Sequence, residues 1–364
     1  MSELDLLYTE IEDDLRASVR SLLAARCDPA AVVAMYDGDR SLVDDLWSSL
    51  AADLGLAGLL VPEERGGQGA SAREAAVVLE ELGLSMAPVP FLTSSVIATT
   101  LLLHTRSGLL GAVAAGERTA ALAVPWSTAV SDALPALRLS GELVTGSVTS
   151  VAGALEADVL LVPVATPTGV AVYAVEAAAA SVAPVVSLDM TRQLADVSFD
   201  SAPGTLVLAE AEAEAAIRDA IGAGASLLAS EQLGVARWCL DTTVAYLKER
   251  RQFGRVLGGF QALKHRLADL YTGVESAAAA ARYAAAALAE DGFDVPVAAA
   301  VAQAYCSDLA VAAAEEAVQL HAGIGMTWEH PAHLYLKRAK SDQIALGTPG
   351  GHRVRLAALV DLPR

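Results

Sequence analysis

Aromatic residues make up only 5% of this 364-residue chain, against 54% hydrophobic residues in all. Its core must therefore be built from Ala, Leu and Val rather than from rings. Alanine-rich sequence with few β-branched runs favours long, closely packed helices. Cysteines are few (Cys27, Cys239 and Cys306), far apart and without C-x-x-C spacing. That excludes a cysteine-only zinc or disulfide framework and suits a reducing cytoplasm. Cations are scarce as well: 25 Lys and Arg against 44 Asp and Glu leave a net charge of −19. Such a chain repels nucleic acid and anionic membranes, so any anionic ligand has to be gripped by a few placed Arg or Lys residues. The apolar stretches are alanine-dominated and broken by charge, and none reads as a transmembrane span. The opening MSELDLLYTEIEDDL is acidic where a signal peptide would be basic and apolar. The expectation is a soluble cytoplasmic protein, long enough for two or three domains.

Three segments follow one another. Residues 1–118 read as helical: Leu15, Val19, Leu22 and Leu23 recur at helical spacing behind Asp13 and Asp14. Further helices are expected over Leu42–Leu54, Ser71–Leu84 and Thr93–Leu103, with a Gly- and Pro-punctuated loop, LLVPEERGGQGAS, between the first two. From 119 to 208 come short apolar runs (Val159–Val164, Val170–Val175, Ala195–Phe199) separated by Pro, Gly, Ser and Asp, the pattern of short strands joined by turns. From 209 to 364 helices return. Ile217, Ile221, Leu228, Val235 and Cys239 form one stripe on a very long helix, followed by helices over Gln261–Ala289 and Val295–Leu320 and a shorter one after Pro331. Helices, then strands, then helices is α+β order rather than βαβ alternation. No G-x-G-x-x-G follows a strand-like run, so a Rossmann domain is not expected.

Two blocks carry chemistry. In KERRQFGRVLGGFQALKHRLADLY (248–271), Lys248, Arg250, Arg251 and Arg255 cluster at the end of the long helix, conspicuous in so anionic a chain. Cations at a helix C-terminus also stabilise the helix itself, which is the ordinary reading for Lys248 and Arg251. Arg250 with Phe253 offers a planar fork for phosphate beside an apolar ring, and the glycines let backbone approach closely. In QLHAGIGMTWEHPAHLYLKRAKSDQ (319–343), Ala322, Gly323 and Gly325 form a tight turn, fitting either close approach of a ligand or simple helix termination. His321, His330 and His333 beside Glu329 invite a metal reading. Pro331 lies between the last two, however, and the spacing is not H-E-x-x-H, so no metal site is expected.

These two blocks resemble the two C-terminal signatures of the acyl-CoA dehydrogenase family. The loop LLVPEERGGQGAS resembles that family's P-E-x-x-G-G-x-G stretch, and LSGELVTGSVTSVAGALEADVLLV its central strands. The likeness spans nearly the whole chain. It implies an N-terminal α-helical domain (1–118), a middle β-barrel or sandwich domain (119–208) and a C-terminal four-helix bundle (209–364). It also implies FAD as cofactor, an acyl-CoA thioester as substrate and an electron-transfer flavoprotein as acceptor. Family members take the α proton with a carboxylate and pass the β hydride to the flavin. By similarity, Arg250, Phe253 and Gln261 bind the pyrophosphate and adenosine side of FAD. Gln319, Ala322, Gly323 and Gly325 receive the FAD of a neighbouring subunit, and Thr348 lies near the flavin. A homo- or hetero-oligomer is therefore implied.

The departures concern the base. Many members carry a Glu directly before a Gly-Thr pair; here Leu346 precedes Gly347–Thr348. Others place it about 26 residues before the block's Arg, which reaches Gly224. Glu231 lies seven residues on, roughly 10 Å along a helix, and is a weak candidate beside a structural role. The family's Trp-x-Thr near the flavin ring is missing from SVTSVAGALEAD, where Ser147, Thr149 and Ser150 stand instead, and VPWSTAVSDALP is the nearest relic of E-P-x-x-G-S-D. The resemblance thus implies α,β-dehydrogenation of an acyl-CoA. The chain would act by itself or resemble the shorter, base-lacking subunit of bacterial hetero-oligomers; a related flavin oxidase or monooxygenase is the further alternative.

Overall fold

A 40-residue helix, α7 (Glu210–Glu249), forms the axis of the computed structural model, which describes residues 4–290 and 294–362. The expected stripe is present: Ile217, Ile221, Leu228, Val235 and Cys239 are all fully buried. Between Ala223 and Ala236 the helix is buried on every side, so the stripe widens into a full cylinder. Alanine, glycine and serine supply most of that surface, and small side chains let neighbouring helices come close.

The N-terminal helices are α1 (Glu10–Arg26), α2 (Pro29–Ala34), α3 (Ser41–Ser48), α4 (Ala72–Ser85), α5 (Thr99–Leu103) and α6 (Leu109–Ala114). The expected helix over Leu42–Leu54 turns from α to π at Ser49, and that over Thr93–Leu103 begins as a wide π turn from Phe91 to Ala98. Asp13 and Asp14 do not start α1. Thr9 does, through a reciprocal capping box with Glu12. The α4–α7 crossing brings backbone against backbone: a Cβ on Gly234 would collide with the Glu80 carbonyl, and one on Gly83 with the Glu231 carbonyl. Charged groups surround this seam. Buried Glu80 and Glu81 accept from Arg16, Arg20 and Arg237, and buried Glu12 is gripped by Arg73 and Arg282.

All seven strands of the main sheet lie between Ala120 and Leu208. They are β1 (Ala120–Leu122), β2 (Leu137–Ser140), β3 (Leu143–Ala152), β4 (Val159–Ala165), β5 (Val170–Glu176), β6 (Ser181–Pro184) and β7 (Leu194–Leu208). The order β4-β2-β3-β7-β5 closes on itself through the β4–β5 pairing, forming a small barrel that leaves no open edge on those five strands. After α7, a two-residue ladder pairs β8 (Arg251–Gln252) with β9 (Arg255–Val256). Then come α8 (Gln261–Ala289), α9 (Val295–His321), α10 (Ala332–Asp342) and α11 (Pro349–Leu359). The last of these was not expected from the sequence. Helix α9 is long and apolar enough to cross a membrane by composition, yet its apolar window is mostly buried against the rest of the bundle.

Candidate flavin and acyl sites

The two positions at which a catalytic carboxylate was sought meet in space. A Cβ on Gly224 of α7 would lie 3.1 Å from Leu346 Cδ1 and 2.7 Å from Ile97 Cγ1. Around them Thr93, Ile97, Val124, Trp126, Ile221 and Leu346 enclose a cavity of only about 20 Å³, room for one water. The wall is almost wholly apolar, and no described carboxylate lines it. Leu346 adopts φ +53° in a tight turn before Gly347 (φ +108°). Its N–H donates to the Trp126 carbonyl at 2.9 Å, while the Trp126 N–H donates to the Ser150 carbonyl at 2.9 Å. Trp126 is thus tied to both the barrel and the C-terminal helices, and its indole N–H is buried without a partner. Strand β3 carries Ser147, Thr149 and Ser150 and no Trp. Trp126, from the loop before β2, lines the cavity.

Glu231 does not face this cavity. It is 1% exposed, and both oxygens are taken: Oε1 accepts from Arg338 Nη1 at 2.6 Å and Oε2 from Arg192 Nη2 at 2.5 Å. Burial alone would raise this carboxyl, but the two guanidinium charges outweigh it and hold the group well below the usual carboxylate range. Neither oxygen is free to take a proton, an anchor's geometry that fits the structural role weighed for Glu231. The cluster extends further: Arg338 Nε donates to Asp189 at 2.7 Å and Arg192 Nη1 to Asp342 at 2.8 Å. Asp342 goes the other way, pushed well above its ordinary value by burial and by neighbouring Glu231. These five charged residues lie on three separate segments, so no local motif announces them.

The expected FAD-binding residues gather at one end of the bundle, with one exception. Arg250 caps α7, its N–H bonded to the Tyr246 carbonyl at 2.8 Å, and its side chain is exposed. Phe253, at φ +53° on the β8–β9 turn, is 87% exposed, an unusual position for a ring in a chain so short of them. Gln261 opens α8, whose N-cap, Phe260, has no side-chain acceptor and whose first turn carries no acid. Lys264 and Arg266 follow at once, so a 29-residue helix begins with positive charge on its positive dipole end. An anion is what such an end accommodates. Gln319 lies exposed on the last turn of α9, and Ala322 (φ +55°) ends that helix. Gly323 is open to solvent, whereas a Cβ on Gly325 would lie 2.6 Å from the Val318 carbonyl. The two blocks are joined by stacking of Tyr246 on His321, ring centroids 4.5 Å apart. Thr348, expected on the flavin side, lies apart from these residues, directly after Leu346 and Gly347. It caps α11 by accepting from the Gly351 N–H at 3.2 Å. Helix α11 is fixed to α9 near Ala304, roughly 20 Å of helix from Gln319.

Among the described residues no group of three or more His, Cys, Asp or Glu is placed to hold a metal. His321 instead sets its Nδ1 2.7 Å from the Ala317 carbonyl, and His333 packs against Trp328.

Comparison with known proteins supplies a family. The description "Acyl-CoA dehydrogenase, N-terminal domain" matches residues 9–107 and "Acyl-CoA dehydrogenase, C-terminal domain" residues 215–360. The chain is 36% identical to acyl-CoA dehydrogenase IpdE2 of Mycolicibacterium smegmatis, over 97% of this chain and 99% of that protein. It is also 36% identical to IpdE2 of Mycobacterium tuberculosis, over 92% of each. Among solved structures it is similar to the ChsE4–ChsE5 complex from Mycobacterium tuberculosis, with TM-score 0.87, 27% identity, and coverage of 99% of this chain and 100% of that one. It is likewise similar to a variant of the Tcur3481–Tcur3483 steroid ACAD, with TM-score 0.84, 28% identity, and coverage of 97% and 98%.

Proposed function

The chain belongs to the acyl-CoA dehydrogenase family, and on that premise we propose that it is the base-lacking subunit of a hetero-oligomeric dehydrogenase, completing the FAD site of a base-bearing partner. The family makes it an acyl-CoA dehydrogenase-type flavoprotein oxidoreductase, with FAD as cofactor. The observation that carries the finer reading is the filled pocket. Both positions that would bear a carboxylate are aliphatic or empty of side chain, and the space beside them holds about 20 Å³. A flavin ring and an acyl chain do not fit there.

The exposed end of the bundle is suited to FAD. Arg250 and the uncapped start of α8 would hold phosphate oxygens, Phe253 would lie against a flat ring, and Gln319 with the Ala322–Gly325 turn would admit the nucleotide closely. When bound, FAD supplies the hydride acceptor. This chain's residues bind and orient it, and a partner's carboxylate takes the α proton. Electrons would leave to an electron-transfer flavoprotein, the acceptor that the resemblance implies. Two similar structures favour the hetero-oligomer: one is described as a complex of two different chains, the other as a paired steroid ACAD. The second supports a thioester carried on a steroid as the substrate class.

The test is expression alone and together with a base-bearing family member, followed by visible absorption, mass and turnover of octanoyl-CoA and of a steroid side-chain CoA thioester. The expected results are a colourless, inactive lone chain and a yellow, active hetero-oligomer. A lone chain that retains stoichiometric FAD and is bleached by either thioester would overturn the proposal.

A further inference from the structure

The segment that carries Trp126, residues 125–135, contains no helix and no strand; beyond the two main-chain hydrogen bonds of Trp126 to Ser150 and Leu346, side chains hold it down. Arg218 of α7 donates to the carbonyls of Val130 and Asp132. Gly347 leaves room for Ala129, since a Cβ there would stand 3.0 Å from that of Ala129. The third restraint is Arg192, whose guanidinium carbon lies 5.3 Å from the centre of the Trp126 ring. A planar cation over an indole face is a favourable contact, more so where water is excluded, and the Arg192 side chain is only 9% exposed.

Arg192 comes from the irregular stretch between β6 and β7, which by itself would not fix so long a side chain. What fixes it is the cluster: Nη2 to Glu231 on α7 at 2.5 Å and Nη1 to Asp342 on α10 at 2.8 Å. Glu231 is in turn held by Arg338, and Arg338 by Asp189 and Thr191. Buried ion clusters contribute little net stability, because desolvation offsets their attraction; what they do supply is one defined arrangement. Two guanidinium groups face three carboxylates here, and burial beside Glu231 pushes Asp342 toward its protonated form. Asp342 Oδ2 and the nearby Gln232 Oε1 both lack partners, and Gln232 already donates to the Asp342 carbonyl at 3.3 Å. A proton on Asp342 Oδ2 neutralises the cluster and turns one of these two acceptors into a donor.

We propose that Arg192 is a latch: held by Glu231 and Asp342, it braces Trp126 in place and keeps this subunit's own pocket shut. Arg192 is a positioning residue, acting on the pocket through Trp126. The inference rests on the proposed function only for what the closed pocket would otherwise hold.

Amide hydrogen exchange in residues 125–135 tests the latch directly. In Arg192→Ala, exchange there rises about tenfold or more, while the amides of α8 and α9 keep their protection. The indole becomes accessible too: acrylamide quenches a Trp signal that is absent when Trp126→Phe is added. Should the lone Ala variant fail to fold because Glu231 and Asp342 each lose a guanidinium partner, the paired change Arg192→Met with Glu231→Gln removes both charges and is expected to open the segment equally. Unchanged exchange and quenching in a folded variant overturn the latch. Flavin content of the lone chain decides the functional reading separately, so the two can fail independently.

Discussion

Leu346→Glu places an acid directly before the Gly347–Thr348 pair, and the structure says what that will cost. Leu346 is 2% exposed beside a cavity of about 20 Å³, so the carboxyl enters an apolar space with room for a single water. Losing the buried Leu surface costs about 2 kcal/mol. A carboxyl in such surroundings has its pKa raised by roughly 3 units, and each unit is worth about 1.4 kcal/mol. At pH 5 the folded side chain is neutral while the unfolded one is already mostly ionised, and the variant is less stable than the wild type by about 3 kcal/mol. Because the folded-state pKa is the raised one, the deficit grows as pH climbs from the unfolded value toward the folded value, reaching about 6 kcal/mol by pH 8. That approaches the whole stability of many domains. Urea unfolding followed by far-UV circular dichroism at both pH values measures it, with wild type as the control at each. An equal, small deficit at pH 5 and pH 8 would refute the reasoning, because it would mean that water already reaches position 346. A yellow lone variant that dehydrogenates an acyl-CoA would refute it more completely.

Other outcomes follow from features at a distance. Gly234→Ala drives a methyl into the Glu80 carbonyl and is expected to cost about 1–3 kcal/mol, read as a lower urea midpoint with unchanged slope. Arg250→Ala, on the exposed end of α7, should leave helicity unchanged and reduce the FAD retained by the hetero-oligomer, measured by absorbance after gel filtration; undiminished FAD would contradict the placement of the cofactor. Burial would raise the Glu12 carboxyl, but hydrogen bonds from Arg282 and Arg73 hold it at about 2, against an ordinary 4.5. Its stabilising contribution is therefore complete above pH 4.5 and lost as pH falls through about 2. Glu12→Gln should be clearly destabilising at pH 7 and nearly neutral at pH 2, by urea unfolding across that range.

Much of this was legible in the residues. The switch from helical periodicity to short strands and back falls close to where the strands begin and end, because alternation with turn residues at that spacing leaves few other solutions. Thr9-x-x-Glu12 is legible too as a capping box, although Asp13 and Asp14 are the more conspicuous residues. The exposed end of the bundle announced itself by contrast: cations and a lone Phe in a chain poor in both. The closed pocket did not. Trp126, Ile97, Ile221 and Leu346 look like ordinary core residues, and nothing in their spacing shows that they meet. The Asp189–Arg192–Glu231–Arg338–Asp342 cluster joins segments about 150 residues apart, so its partners exist only in the fold. Helices α2, α6 and α11 are short, and α11 has a weak apolar pattern in which only Pro349 and His352 are buried.

The meeting of Gly224 and Leu346 couples the two positions, so that a change at one is felt at the other. Restoring an acid at 224 collides with Ile97 and Leu346; restoring one at 346 strands a carboxylate under Trp126. Neither step alone recovers a working site, and each intermediate folds less well than its parent. An acid can enter this space only through coupled changes, in which Ile97, Trp126 or their neighbours give up volume before either position carries a carboxylate.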